Sequence, residues 1–269
     1  MKTISLYLIA LIAFVSCKNE VKKGESVAET TEEVSEVKTE ENNLEHTFEI
    51  TPISHATMVL EWDGTIIYVD PVGGATAFEG QPEPDLVLVT DIHGDHLNTE
   101  TIGAIITDGT KIIAPQAVVD NMPANQKVQT AVLNNGETSE TMGFTVEAIP
   151  MYNLREEALK FHAKGRGNGY VIEKDDKRVY ISGDTEDIPE MRALQNIDVA
   201  FVCMNLPYTM PVKSAASAVV DFKPKKVYPY HYRGTDGLSD VGLFRDWIKK
   251  SSASKDIEVV QLDWYPSAE

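Results

Sequence analysis

The apolar residues of this chain fall into short blocks with strand-like texture. Thr57–Trp62 and Thr65–Val69 flank Asp63-Gly64, a dipeptide suited to the positive-φ positions of a tight turn, and predict a β-hairpin. Asp85–Thr90 (DLVLVT) is apolar enough for a strand covered on both faces. A helix is expected over Thr99–Thr107, a strand over Lys111–Ala114 and a helix over Gln116–Asn121. Val128–Leu133, Thr138–Met142 and Phe144–Ile149 read as strands, with Asn134-Asn135-Gly136 turning the chain between the first two. Gly169–Glu173 and Arg178–Ser182 predict a second hairpin around Asp175-Asp176. Asp187 is expected to cap a helix that carries Pro189 and Glu190 in its first turn. Strands at Asp198–Cys203, Lys226–Tyr230 and Ile257–Leu262 follow, separated by helices near Val212–Asp221 and Ser239–Ser251. Two strand-rich halves, each followed by alternating strand and helix, predict an α+β architecture. It consists of two mixed sheets packed face to face with helices on the outer faces, one domain over residues 47–269.

The first 46 residues have a different character. Met1-Lys2 precedes the apolar run Ile4–Val15, which is too short to span a bilayer and reads as a secretory signal over residues 1–16. Phe14-Val15-Ser16-Cys17 resembles a bacterial lipoprotein box, which implies a lipidated Cys17 and an exported protein anchored to a membrane by its acyl chains. Residues 18–50 hold four Lys and ten Glu, so −6 of the −18 net charge sits there. Residues 17–46 are therefore expected to be a disordered acidic tether. The overall acidity disfavours nucleic acid as a partner, because displacing phosphate counterions needs a basic surface. Two cysteines cannot make a disulfide framework, and Cys203 reads as a small core residue.

Candidate chemistry begins where the strand at Asp85–Thr90 ends. Asp91-Ile92-His93-Gly94-Asp95-His96 places four metal-binding side chains within six residues. Positions i and i+2 of an extended loop project to one side, so Asp91 and His93 can converge on one ion, and Gly94 lets the chain turn so that Asp95 and His96 reach another. His162, Asp184 and His231 each stand where a strand begins or ends, the usual place for a site on a layered fold.

The order (D/H)-x-H-x-D-H, later His, later Gly-Asp, later His resembles that of the metallo-β-lactamase-fold hydrolases, and within them the branch around ascorbate-6-phosphate lactonase. The likeness runs from about Phe48 and includes Ser54-His55-Ala56-Thr57 and Tyr68-Val69-Asp70-Pro71. It implies an αββα sandwich with two divalent metal ions at one edge of the sheets. By matching positions, Asp91, His93 and His162 would hold one ion, Asp95, His96 and His231 the other, and Asp184 would bridge them. Asp91 departs from the family, which usually has His there. Its harder oxygen leaves manganese or iron as alternatives to zinc.

Such a centre implies hydrolysis, because two cations sharing a water lower its pKa toward about 7 and polarise the substrate oxygen. Asp95 is the residue the resemblance implies for orienting the nucleophile or passing a proton, and His55 is expected beside it. Tyr232 and Arg233 are candidates to bind an anionic group of a small-molecule substrate, with Asn153 and Arg166 as weaker ones. The expected substrate is a small ester, lactone or phosphodiester. The alternatives are a non-catalytic metal- or ligand-binding lipoprotein of the same fold and a membrane-associated phospholipase-type phosphodiesterase.

Overall fold

Period-two alternation sorts the side chains of the first strands into two layers. In the computed structural model of the protein, which describes residues 47–266, β1 (Phe48–Ser54), β2 (Thr57–Trp62) and β3 (Thr65–Val69) run antiparallel. β4 (Leu86–Leu88), β5 (Lys111–Ala114) and β6 (Thr130–Val132) extend the sheet in parallel, so its spatial order follows the sequence. Met58, Leu60, Trp62, Ile67, Val69 and Leu88 face a core shared with a second sheet. Val59, Tyr68, Val87 and Ile112 face the other way and meet Ile102 of α1 (Thr99–Ile105) and Val118 and Val119 of α2 (Gln116–Asp120).

The second sheet joins β7 (Thr138–Thr141), β8 (Phe144–Met151), β9 (Gly167–Lys174) and β10 (Lys177–Ile181) in antiparallel order. β11 (Val199–Val202) and β12 (Lys226–Pro229) add in parallel. Beyond a ribbon of β13 (Arg233–Gly234) and β14 (Gly237–Leu238), β15 (Glu258–Val259) closes the edge next to β12. Phe144 and Trp62 meet edge to face across the two sheets, 5.2 Å between ring centroids, and burying each such ring contributes roughly 1.5–3 kcal/mol. A short α3 (Ala124–Lys127) lies between β5 and β6 in sequence. Met191 of α4 (Pro189–Arg192), Val219 and Phe222 of α5 (Val212–Phe222) and Phe244 and Ile248 of α6 (Val241–Lys250) pack into the core of the second sheet. Asn98 and Asp240 cap α1 and α6, their side chains accepting from the backbone N–H of Thr101 and Leu243.

The expected α+β sandwich is the one observed. Two local expectations fail. Asp187 does not cap α4: Ile188 stands at that position and makes no side-chain cap bond, while Asp187 pairs with the Arg192 guanidinium. The strand expected over Ile257–Leu262 shortens to two residues. β1 and α3 have no counterpart among the sequence expectations. Pro52 interrupts the alternation in β1 and is tolerated because β1 is an edge strand. The secretory signal, the lipidated Cys17 and the acidic tether lie outside the described residues. No helix among the described residues is long and apolar enough to cross a membrane.

Candidate metal centre

All the candidate ligands stand at strand ends on one edge of the two sheets. His55 follows β1, Asp91, His93, Asp95 and His96 come after β4, His162 precedes β9, and Asp184 and His231 follow β10 and β12. The turns that aim them are tight. His55 (φ 58°) and His231 (φ 45°) adopt the left-handed conformation, as does Asp70 (φ 45°) just past β3; for a residue with a side chain this costs on the order of 1–3 kcal/mol and concentrates at functional sites. Gly183, immediately before Asp184, also has positive φ, and a Cβ there would lie 2.6 Å from Met151 Sδ and 2.9 Å from the Asn168 carbonyl oxygen. Only glycine lets the chain pass this close to Met151 and Asn168 just before Asp184.

The ligand atoms form three groups, His96–Asp184–His231, Asp91–His93–His162 and His55–Asp95–His231, each within 4.8 Å. His231 Nε2 lies 3.1 Å from both His96 Nε2 and Asp184 Oδ1, and His162 Nε2 lies 3.2 Å from Asp184 Oδ2. Asp184 thus stands between the other two groups, one oxygen toward each. The far sides of the His96 and His162 rings are fixed. His96 Nδ1–H donates to Asp70 Oδ2 at 2.8 Å, and Thr90 holds that carboxylate through its N–H and hydroxyl, both at 2.7 Å. His162 Nδ1–H donates to the Tyr208 carbonyl at 3.1 Å, and Asn153 Nδ2 donates to the same oxygen at 2.7 Å. Each bond places the proton on Nδ1 and leaves the Nε2 lone pair facing the centre.

These residues fit a metal ion. Among the described residues, His162 Nε2 and Asp184 Oδ1 are buried without a hydrogen-bond partner, although both face other ligand atoms. Nitrogen and carboxylate oxygen together make a donor set suited to zinc and open to manganese or iron. Burial alone would raise the Asp184 carboxyl, but the His231 and His96 imidazoles hold it well below the usual carboxylate range. Burial would lower His96, and the Asp184 and Asp70 carboxylates outweigh it and raise it well above the ordinary imidazole value. A pocket that calls so strongly for positive charge suits a cation as well as protons.

Known proteins carry the same fold. Residues 49–231 match the model of the β-lactamase superfamily domain. A UPF0173 metal-dependent hydrolase of Pyrococcus horikoshii is 33% identical over 190 residues, which cover 67% of this chain and 82% of the relative. The chain belongs to the UPF0173 metal-dependent hydrolases of the metallo-β-lactamase superfamily. A crystal structure from Parabacteroides distasonis, assigned as a metal-dependent hydrolase, superposes with a TM-score of 0.72 at 38% identity, covering 81% of this chain and 94% of that one. Igni18, a metallo hydrolase from Ignicoccus hospitalis, shares the fold at a TM-score of 0.65 and 23% identity over 80% of this chain and 95% of its own.

In this UPF0173 chain the structure brings together all seven side chains expected to bind metal, with His55 beside Asp95. Four of the seven, His93, Asp95, His162 and Asp184, and His55 border a cleft of about 310 Å³ that is also lined by Phe161, Asn205, Tyr208 and Arg233. His55 Nε2 lies 3.4 Å from Asp95 Oδ2. Burial lowers His55. It would raise Asp95, but hydrogen bonds from His231 and His55 hold that carboxyl far below its usual range. Tyr232 is a correction: it is buried, packs edge to face on Tyr265, and does not line the cleft, so it is not placed to touch substrate. Successive residues of an extended chain point to opposite sides, and Arg233 takes the cleft side. Asn153 serves His162 rather than a substrate anion, and Arg166 pairs with Asp91 through Nε at 3.0 Å and Nη2 at 2.8 Å. Asp70 and Tyr265 were missed. Asp70 has one sequence signal, an acidic residue closing a strand before proline; Tyr265 has none. Cys203 lies in the core as expected, and burial pushes its thiol up to about 12.

Proposed function

We propose that the cleft hydrolyses a small ester, lactone or phosphodiester, with Asp91, His93, His162, Asp95, His96 and His231 holding two divalent cations and Asp184 between them. The observation that carries this reading is the pair of buried, unpartnered ligand atoms, His162 Nε2 and Asp184 Oδ1, facing a cleft of small-molecule size. Cations bound there would supply Lewis-acid polarisation of the substrate oxygen and a water acidic enough to act as nucleophile near neutral pH. The chain's own residues do the rest. Asp95, 41% exposed at its side chain and within reach of His55 and His231, is placed to orient the attacking water and to carry its proton toward the leaving group. His55 holds Asp95 from the cleft side. Arg233, on the rim, offers a guanidinium to an anionic part of the substrate. Phe161 and Tyr208 provide an apolar wall.

The test is elemental analysis of the purified protein, followed by a panel of lactones, carboxylic esters and phosphodiesters before and after chelation. Bound transition metal together with turnover that chelation abolishes and metal restores is expected. A protein without metal that turns over none of the three classes would be a binding protein of this fold instead. Attachment to a membrane through Cys17 is a further part of this proposal, supported by the Ile4–Val15 run and the residues around Cys17. Loss of membrane fractionation in Cys17→Ser checks it.

A further inference from the structure

Within the metal-dependent reading above, on which this inference rests, the two sides of the centre differ in what already neutralises their carboxylates. Asp91 is fully buried. Its Oδ1 accepts from Arg166 Nε and its Oδ2 from Arg166 Nη2, the two-pronged match of guanidinium to carboxylate. His93 Nδ1 stands 2.8 Å from the same Oδ2. On the other oxygen the backbone closes in, since a Cβ on Gly167 would lie 3.2 Å from Oδ1. Guanidinium, imidazole and main chain thus crowd both oxygens. Asp184 has no such partner among the described residues: the groups around it are His162, His96 and His231, and Oδ1 accepts no hydrogen bond. A buried carboxylate needs a compensating positive charge. At Asp184 that charge has to come from protons or from an ion, whereas at Asp91 the protein supplies it.

We propose that Arg166 is a built-in cation that makes the two metal positions unequal. The His96–Asp184–His231 position holds its ion tightly. The Asp91–His93–His162 position, its carboxylate already matched by a guanidinium, binds a second ion weakly and fills only when metal is in excess. The position where this chain departs from the usual histidine is therefore one half of an Asp–Arg pair. The centre has one resident ion and one exchangeable ion.

Zinc titration of the full chain against a chromophoric chelator, with zinc content measured after gel filtration, tests this without reference to activity. The wild-type protein is expected to retain about one zinc and to take up the second about a hundredfold more weakly, the scale set by one full charge at a partly buried site. Arg166→Met is expected to retain about two, because Asp91 then lacks its cation, while Arg166→Lys, which keeps the charge, stays near one. Two ions held with equal affinity by the wild-type protein, or an Arg166→Met isotherm superimposable on it, would overturn the inference and leave the metal-dependent reading standing. Absence of retained zinc from wild type and both variants would overturn both. Should Arg166→Met fail to fold by circular dichroism, the wild-type isotherm alone still decides between equal and unequal positions.

Discussion

The inner half of the centre and its rim are built on different principles. His96, His231 and Asp184 are buried, and His96 is backed by Asp70, which is itself held by Thr90. At the rim, His93 and Asp95 are 40% and 41% exposed at their side chains, and Arg233 is exposed. The inner half therefore has its geometry fixed by the fold before anything binds, which is what a metal position needs. The rim has fewer constraints and more solvent, which suits the part of the site that meets and releases substrate. On this view a substitution in the inner half changes whether metal is held at all. One at the rim changes how well a retained centre works.

The largest effect is expected from Asp184→Ala, because it removes the carboxylate that lies between the two ligand groups. Bound metal should be lost from the purified protein, and turnover should fall by about a thousandfold, the upper scale on which one preorganised charge contributes to catalysis. Retained metal and turnover would show that the inner half does not depend on Asp184. Next is Asp70→Asn, which never touches the ion. It keeps the shape but weakens the acceptor behind His96 Nδ1–H, and metal affinity should drop by about 10–100-fold, as for other carboxylates behind ligand imidazoles. Competition with a chelator measures it. An unchanged affinity would show that burial alone fixes His96.

What the sequence made legible follows from how locally each feature is written. The hairpin at Asp63-Gly64 and the helices Val212–Phe222 and Val241–Lys250 emerge from period and turn chemistry within a dozen residues, and they are found where expected. Asp91, His93, Asp95 and His96 are legible because they crowd one loop at the end of one strand. His162, Asp184 and His231 are legible because each marks another strand terminus. The supporting pairs are not written locally. Asp70 finds His96 across 26 residues, Asp91 finds Arg166 across 75, and His55 finds Tyr265 across 210. Nothing in the neighbourhood of either partner encodes such a meeting; it exists only once both sheets have folded. Tyr232 was misread for the same reason, since which side of an extended segment faces the cleft depends on tertiary packing.

The smallest of these effects is expected at the rim. Tyr265 Oη accepts the backbone N–H groups of Tyr232 at 3.0 Å and Arg233 at 3.1 Å, which uses both of its lone pairs. Its own O–H is then left to donate to His55 Nδ1, 2.7 Å away, so the His55 proton sits on Nε2, the nitrogen that faces Asp95. Tyr265→Phe removes this lock and leaves two N–H groups without an acceptor, at a cost of roughly 1–3 kcal/mol for each that stays dry. A merely structural tyrosine would lower the melting temperature and nothing more. A positioning one would also change the ring nitrogens of His55: nitrogen-15 NMR should show the Nε2–H tautomer in the wild-type protein and a mixture in the variant. With metal retained, turnover should then fall by about tenfold, below the range usual for losing a general acid or base outright, because His55 is still present and only its proton is misplaced. If the tautomer is unchanged in Tyr265→Phe, Asp95 alone orders His55, and the rim is more rigid than its exposure suggests.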